Sequence, residues 1–201
     1  MEMFGKSQPV PRVEEGRCLT GHGRYVDDIP PEGALLAFVF RSPVAHATIT
    51  SLDVEDARAS EGVRAVLTAD DLKAAGINGS MTGSVIKNRD GSMGASPHRP
   101  LLAEGKVRFV GEPVAFIVAE TLDQARDAAE LIDLFYEDLP AKMDVAAGGE
   151  TVHADAPDNV AFDWGIGDEA ATEAAFAAAD KVVTLEVPDN RIIVNLSLIH
   201  I

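Results

Sequence analysis

The sequence has 201 residues, of which 46% are hydrophobic, and its 33 acidic and 17 basic side chains give a formal net charge of −16. This length suits one domain and the beginning of a second. An acidic surface repels phosphate backbones, so nucleic acid is excluded as an expected partner, and no apolar run approaches the ~20 residues of a membrane helix.

The first residues carry little structural signal. Residues 1–19 contain few large apolar side chains, and we expect an extended N-terminal lead-in. No basic segment followed by an apolar stretch is present, so we expect no secretory signal and a cytoplasmic location. The single cysteine, Cys18, excludes an internal disulfide and a multi-thiolate metal site, and we interpret it as a small apolar residue.

The sequence between residues 35 and 76 alternates strand and helix signals. Strands are predicted at Leu35 to Phe40, Thr48 to Val54 and Val63 to Leu67, where β-formers dominate. Thr68 and the acidic residues that follow it have the form of a helix start. A short helix is therefore predicted from Thr68 to Ala75, ending at Gly76.

A long loop is predicted over residues 76–99, which are rich in Gly, Ser, Asn and Asp. Beyond it, Lys106 to Val110 and Val114 to Val118 flank Gly111-Glu112-Pro113, and this pattern predicts a β-hairpin. The second of these segments is apolar throughout, so we expect it to be a central strand.

A helix and a strand are predicted next. Thr121 to Gln124 forms a capping box, and the helix it opens should bury one apolar face, formed by Leu122, Ala125, Ala129 and Ile132. A strand from Leu131 to Tyr136 would complete a strand–helix–strand crossover unit.

The sequence after Pro140 becomes rich in glycine and carries weaker secondary-structure signals. A linker is predicted from about Ala146, followed by a helix that Asp168 caps and that ends at Ala179. Strands are predicted at Lys181 to Val187 and Arg191 to Val194.

The final six residues, Leu196 to Ile201, follow with no turn, cap or polar tail. These six residues can be encoded by a nucleotide sequence that resembles the transposon end used to build sequencing libraries. We interpret residues 196–201 as a non-native tail on a truncated chain, with a natural apolar strand as the alternative.

Several patterns in the sequence contain residue types that can carry chemistry. Gly21-His22-Gly23 begins like a dinucleotide fingerprint, but Val26 stands at the position of the third glycine and no strand precedes it, so a turn is favoured. His22, His46, His98 and His153 lie far apart and would form a metal site only if the fold gathered them. The carboxylate pairs Asp27-Asp28 and Glu137-Asp138 are interpreted as turn residues.

Glu112 is the strongest single acid in the sequence. It lies between Gly111 and Pro113, where a positioned general base could stand, although the corner of a hairpin is the favoured interpretation. Ser42, Ser92 and Ser96 lack the Gly-x-Ser-x-Gly context of an elbow nucleophile. We therefore assign no catalytic, cofactor-binding or metal-ligating residue within the chain.

Four blocks, in order, carry a resemblance to a known family. They are Arg12 to Glu14 with Leu19 to Ile29, then Phe40 to Asp53, then Val63 to Leu72, and finally Pro100 to Ala103 with Val110 to Ala115, Ala128 to Glu130 and Tyr136 to Pro140. Together they resemble the N-terminal part of the large, molybdopterin-binding subunit of the xanthine dehydrogenase, aldehyde oxidase and aerobic carbon monoxide dehydrogenase family.

The resemblance implies an α+β fold: an α/β hammerhead domain, with a mixed sheet and crossover helices, followed by the start of a truncated molybdopterin-binding domain. The implied boundaries are 1–19 for the lead-in, 20–144 for the hammerhead, 145–195 for the linker and the second domain, and 196–201 for the tail.

The resemblance also implies the chemistry of the intact parent, an oxidoreductase. It would hydroxylate an aldehyde, an N-heterocycle or carbon monoxide with oxygen from water, while a glutamate takes a proton and electrons leave through iron–sulfur clusters toward FAD. Molybdenum-molybdopterin would bind in the parent, and the clusters and FAD would reside on partner subunits or domains. The catalytic glutamate would lie downstream, so we expect the fragment to be inactive. The alternative is a stand-alone, non-catalytic binding or assembly module.

Overall fold

The computed structural model describes residues 12–80, 85–156 and 158–187. The chain divides into two units. One comprises residues 35–180, and the other comprises residues 12–34 with the described residues from 181 onward.

The elements, in chain order, have the following bounds. The helices are α1 Glu15–Leu19, α2 Glu55–Ala59, α3 Ala69–Ala74, α4 Leu122–Glu130 and α5 Glu169–Ala178, with a 3-10 turn at Val26–Asp28. The strands are β1 Leu36–Arg41, β2 Ala47–Asp53, β3 Val63–Leu67, β4 Lys106–Val107, β5 Pro113–Ala119 and β6 Asp133–Asp138.

The first sheet has the order β1-β5-β3, and both pairings are antiparallel. Its central strand β5 is apolar and mostly buried, as the sequence predicts. Pro113 begins β5, a position where a residue without a backbone N–H is tolerated. The predicted central strand is therefore confirmed.

The second sheet has the order β4-β2-β6, again with antiparallel pairing. The predicted hairpin is wrong, because β4 pairs with β2 whereas β5 lies in the first sheet. The segment β5-α4-β6 crosses from one sheet to the other and does not join parallel neighbours. The α+β class is confirmed, but the described strands form two antiparallel sheets in place of a mixed one.

Helix α4 covers the first sheet. Thr121 Oγ1 accepts a hydrogen bond from the Gln124 N–H at 3.2 Å, which confirms the predicted capping box. The helix buries Ala125, Ala128 and Ala129, and small side chains allow it to lie close to β1 and β5. The predicted inner face is therefore largely correct, with Ala128 as an addition.

Two hydrophobic clusters form the core of residues 35–180. The larger one lies between the first sheet and the helices α2 and α4, and it includes Val66, Ile117 and Ile132. The smaller one surrounds Ala47, Val107 and Val114 beside the second sheet. Phe40 and Leu52 pack against both clusters and so join the two layers.

Helix α5 begins as predicted, because Asp168 Oδ1 accepts the Ala171 N–H at 2.9 Å. Residues 181–187, although described, form no strand, so that strand prediction is wrong. The predicted lead-in also departs from an extended segment, since α1 occupies Glu15–Leu19. The predicted strand at 191–194 and the tail at 196–201 lie outside the described residues.

Among the described residues, no helix is both long and apolar enough to cross a bilayer.

Candidate functional site

A buried polar corner forms where β1 ends and β5 begins. The Ser42 N–H donates to the Glu112 carbonyl at 2.9 Å, and the Gly111 N–H donates to the Ser42 carbonyl at 2.8 Å. Gly111 has a φ of +87°, a backbone conformation that favours glycine. The Gly-Glu-Pro sequence therefore builds a tight junction between two strands of one sheet.

Glu112 is the acid at this junction, and its side chain is only 4% exposed. Its Oε2 accepts a hydrogen bond from the backbone N–H of Arg108. A buried carboxylate needs such a donor, because desolvation without a partner is costly. The carboxylate closes the turn from residue 108 to residue 112, which fits the structural interpretation better than that of a general base.

His46 immediately precedes β2 and is 4% exposed. Its Nδ1 donates to the Pro140 carbonyl at 2.7 Å, because a carbonyl oxygen can only accept. The backbone carbonyl of His46 accepts from the Leu139 N–H at 2.9 Å. Its Nε2 is buried and has no hydrogen-bond partner in the part of the chain that the structure describes.

Arg108 directly follows β4 and has a second buried nitrogen of this kind. Its Nε has no hydrogen-bond partner among the described residues. Burial and the positive charge of Arg108 lower the pKa of His153. Nearby His46 and Lys106 also lower this pKa, whereas the negative charge of Asp155 raises it. The fold thus brings together two of the four histidines considered in the sequence.

Described residues of the long loop at 76–99 contact a later segment of the chain. The Ala95 N–H donates to the Ala161 carbonyl at 2.7 Å, and Arg89 forms an ion pair with Asp163 at 2.9 Å. A Cβ on Gly94 would lie 2.7 Å from the Ala161 oxygen, so only glycine permits this approach. A cleft of about 280 Å³ is lined by loop residues Asn88, Asp90 and Met93 to Ala95 and by Asp155, Ala156, Asp158 and Val160 to Asp163.

The other candidate residues have local structural partners. Asp28 Oδ2 accepts the Tyr25 N–H at 2.9 Å, which supports a turn there. The turn prediction for Glu137 and Asp138 is wrong, because both lie in β6 opposite Thr48 and Ala47.

The other candidate histidines and serines and the cysteine show no convergent site in the part of the chain that the structure describes. His22 contacts Thr20 Oγ1, and His98 pairs with Glu104 at 3.1 Å. Ser42 bonds the Val44 backbone, Ser92 bonds Asp90, and Cys18 is exposed. Within the described ranges, no group of three or more His, Cys, Asp or Glu side chains could hold a metal ion.

The polar corner lies in a segment that matches a family profile. Residues 20–140 match the profile described as aldehyde oxidase and xanthine dehydrogenase, a/b hammerhead domain. The chain belongs to this family. The match contains the six strands found among the described residues and α4, so their two small sheets are those of a hammerhead domain.

Named relatives of the family are large subunits of much greater length. The chain is 38% identical over 180 residues to the nicotine 6-hydroxylase large subunit of Paenarthrobacter nicotinovorans, which covers 87% of this chain and 21% of that subunit. It is 33% identical over 138 residues to the nicotinate dehydrogenase large molybdopterin subunit of Eubacterium barkeri, covering 69% of this chain and 29% of that protein.

A solved structure agrees with these relatives. The Cu,Mo-CO dehydrogenase in its carbon monoxide reduced state superposes with a TM-score of 0.65 at 34% identity, covering 86% of this chain and 22% of that one. The chain therefore spans between a fifth and a third of the lengths of these three relatives.

The buried polar groups of the corner do not form a molybdopterin site. A cofactor pocket needs several polar groups that converge on an open cavity. In the described residues Ser42 and Glu112 bond the chain's own backbone, and only single nitrogens of His46 and Arg108 are left over. No reaction step can be derived through the cofactor from these side chains.

Local composition predicts β2 and β4 separately but does not identify which strand pairs with which. The register that sets Ala47 opposite Val107 is visible only in the fold.

Proposed function

We propose that this chain is the hammerhead-bearing portion of the large subunit of a molybdenum hydroxylase and serves that subunit as a scaffold. The single observation that carries the proposal is the match of residues 20–140 to the family's hammerhead domain. The chain accounts for only 21% of the nicotine 6-hydroxylase subunit, which leaves most of such a subunit to hold a reactive centre.

The proposed boundaries follow the same correspondence. Residues 20–144 form the hammerhead, residues 1–19 lead into it, and residues 145–195 link it to the start of a molybdopterin-binding domain. Residues 196–201 are a non-native tail in this proposal. The compact unit of residues 35–180 supports a scaffold role, because both of its hydrophobic clusters are built from hammerhead residues.

The intact parent would hydroxylate an aldehyde, an N-heterocycle or carbon monoxide with oxygen from water. It would bind molybdenum-molybdopterin and work in the cytoplasm with iron–sulfur and FAD-binding partners. The names of the relatives support this class, since they include a hydroxylase, a molybdopterin subunit and a Cu,Mo dehydrogenase. The fragment itself would contribute structure and no catalytic residue.

Metal analysis of the purified 201-residue chain tests the proposal. The chain is produced in cells that make the molybdenum cofactor, and the nicotine 6-hydroxylase large subunit made in the same cells serves as the positive control. We expect molybdenum in the control and none in stoichiometric amount in the chain. One molybdenum per folded chain would contradict the proposal.

The alternative, a stand-alone binding or assembly module, makes a different prediction for the gene. Reading the genomic frame beyond codon 195 separates the two. A long continuation that matches the family's molybdopterin-binding regions supports the scaffold proposal, and an immediate natural stop supports the module.

A further inference from the structure

We propose that Val160, Phe162, Trp164 and Ile166 form a docking ridge that the molybdopterin-binding part of the same large subunit covers. These four residues are the apolar ridge. The inference rests on the proposed function, because it takes the chain to be one portion of such a subunit. It adds the surface through which the hammerhead portion would hold the remainder.

The residues between those of the ridge are bound to the preceding long loop. The Ala161 carbonyl accepts the Ala95 N–H at 2.7 Å. The Asp163 N–H donates to Asn88 Oδ1 at 2.8 Å. The Asp163 carboxylate also accepts two bonds from Arg89, from Nη2 at 2.9 Å and from Nε at 3.2 Å. Because a bidentate pair fixes geometry as well as distance, these bonds hold the segment in place.

The ridge residues themselves occupy every second position and stay largely out of the core. Their side chains are between 42% and 85% exposed. None of them belongs to the two hydrophobic clusters found among the described residues. Single exposed apolar side chains are ordinary, but several large ones in one short segment mark an interaction surface.

The charge around the ridge argues against a second copy of this chain as the occupant. Val160 and Phe162 line the cleft beside the long loop, and Asp90, Asp155 and Asp158 line the same cleft. The whole chain has a net charge of −16. Two copies that met here would bring like charges together, which is unfavourable. We expect the covering segment to be apolar and flanked by Lys or Arg.

The position of the ridge in the sequence favours the rest of the large subunit. The ridge lies within residues 145–195, the proposed passage from the hammerhead into the molybdopterin-binding domain. The matched part is 21% of the nicotine 6-hydroxylase large subunit, so most of such a subunit lies outside it. A domain joined to the ridge by a short stretch of chain has a high effective concentration there.

The test compares the ridge in the full 201-residue chain and in a full-length chimera. In the chimera, residues 20–180 of this chain replace the matching segment of the nicotine 6-hydroxylase large subunit. Hydroxyl radicals oxidise side chains at rates that follow their exposure, and mass spectrometry locates each product. Trp164, the only tryptophan of this chain, is the reporter. We expect its oxidation to be about tenfold slower in the chimera, because the core of an interface is packed like a protein interior.

Two controls accompany this comparison. Ile117 is fully buried and should stay unreactive in both proteins, which reports that the hammerhead is folded. The double variant Phe162→Ser with Trp164→Ser should speed the oxidation of Ile166 in the chimera and leave it unchanged in the 201-residue chain. Phe135→Ser is the matched variant, because Phe135 is an aromatic residue on β6 that is about as exposed as Trp164.

Protection of Trp164 in the chimera, with Ile166 uncovered by the double variant and still covered in Phe135→Ser, supports the docking ridge. Equal oxidation of Trp164 in the 201-residue chain and the folded chimera overturns it. Protection that appears in the 201-residue chain as its concentration rises would identify a second copy as the occupant. Protection only after iron–sulfur or FAD subunits are added would identify those subunits. Either result overturns the proposal.

The molybdenum content of the chimera reports separately on the proposed function. A chimera that contains molybdenum but leaves Trp164 exposed refutes the ridge and leaves the scaffold proposal standing. If the double variant does not fold, the comparison of Trp164 in the two unaltered proteins decides.

Discussion

At the scale of single residues, Glu112 shows how a tempting acid becomes a structural one. Its position between a glycine and a proline suggested either a base or a corner. The structure shows that the Glu112 carboxylate is buried and accepts a hydrogen bond from the backbone N–H of Arg108. The sequence does not reveal this bond, because it depends on how the turn between the two residues folds.

Replacing Glu112 by alanine should destabilise the fold, because the Arg108 N–H then loses its acceptor in a buried setting. We expect a loss of about 1–3 kcal/mol in the free energy of unfolding, measured by urea denaturation. Glu112→Gln retains an oxygen acceptor and should lose less. Glu61→Ala, at an exposed position, is the control. Equal stabilities of Glu112→Ala and the wild type would show that the carboxylate does not close the turn.

His153 should give the stability a defined pH dependence. Burial and Arg108 lower its pKa below the usual 6.5. The unfolded chain therefore binds a proton more readily, so His153 contributes its full stability above pH 6.5 and loses it as the pH falls toward the lowered pKa. His153→Gln should flatten this part of the profile of unfolding free energy against pH. Identical pH profiles for the variant and the wild type would refute this role.

At the scale of elements, the sequence predicts helices correctly where it contains a capping residue or a strong hydrophobic period. Thr68, Thr121 and Asp168 each begin the predicted helix, because a capping side chain acts within three residues of its own position. The hairpin prediction failed because Lys106 to Val110 can be recognised locally as β-prone, whereas its pairing with β2 is set by distant residues.

The strand predicted at Lys181 to Val187 failed for a related reason. Its residues have β-forming composition, but a strand needs a partner, and within the described residues this segment pairs with none. Composition predicts that a segment tends to form a strand, but it does not identify the strand that would pair with it.

The close packing of α4 on the first sheet can be tested at Ala125, which is fully buried. Ala125→Leu adds three carbon atoms where no space is left and should reduce the free energy of unfolding by about 1–3 kcal/mol. Arg126→Leu places the same side chain on the exposed face of α4 and serves as the control. Comparable urea midpoints for the two variants would contradict the packing described here.

At the scale of the whole molecule, the core lies in the hammerhead. The residues of both hydrophobic clusters end at Ile132 and Leu134, so the segment from residue 146 onward contributes to neither. The family and the fold class could be predicted because four sequence blocks kept their order, whereas the division into two antiparallel sheets required the strand pairings.

Deleting residues 146–201 should leave a soluble domain with one cooperative unfolding transition by calorimetry. The loop of residues 85–95 would lose its partners at Ala161 and Asp163, and its backbone amides should exchange faster. Removing only residues 181–201 provides the control with that contact intact. A shortened chain that unfolds without cooperativity would place the domain boundary elsewhere.

The central claim is that residues 20–144 are a scaffold whose reactive centre lies in other parts of the subunit. Its most direct test replaces the matching segment of the nicotine 6-hydroxylase large subunit with residues 20–144 of this chain and measures the molybdenum content of the purified, folded chimera. We predict molybdenum at the level of the unaltered subunit. A folded chimera that lacks molybdenum would contradict the claim, because the exchanged segment would then hold part of the cofactor site.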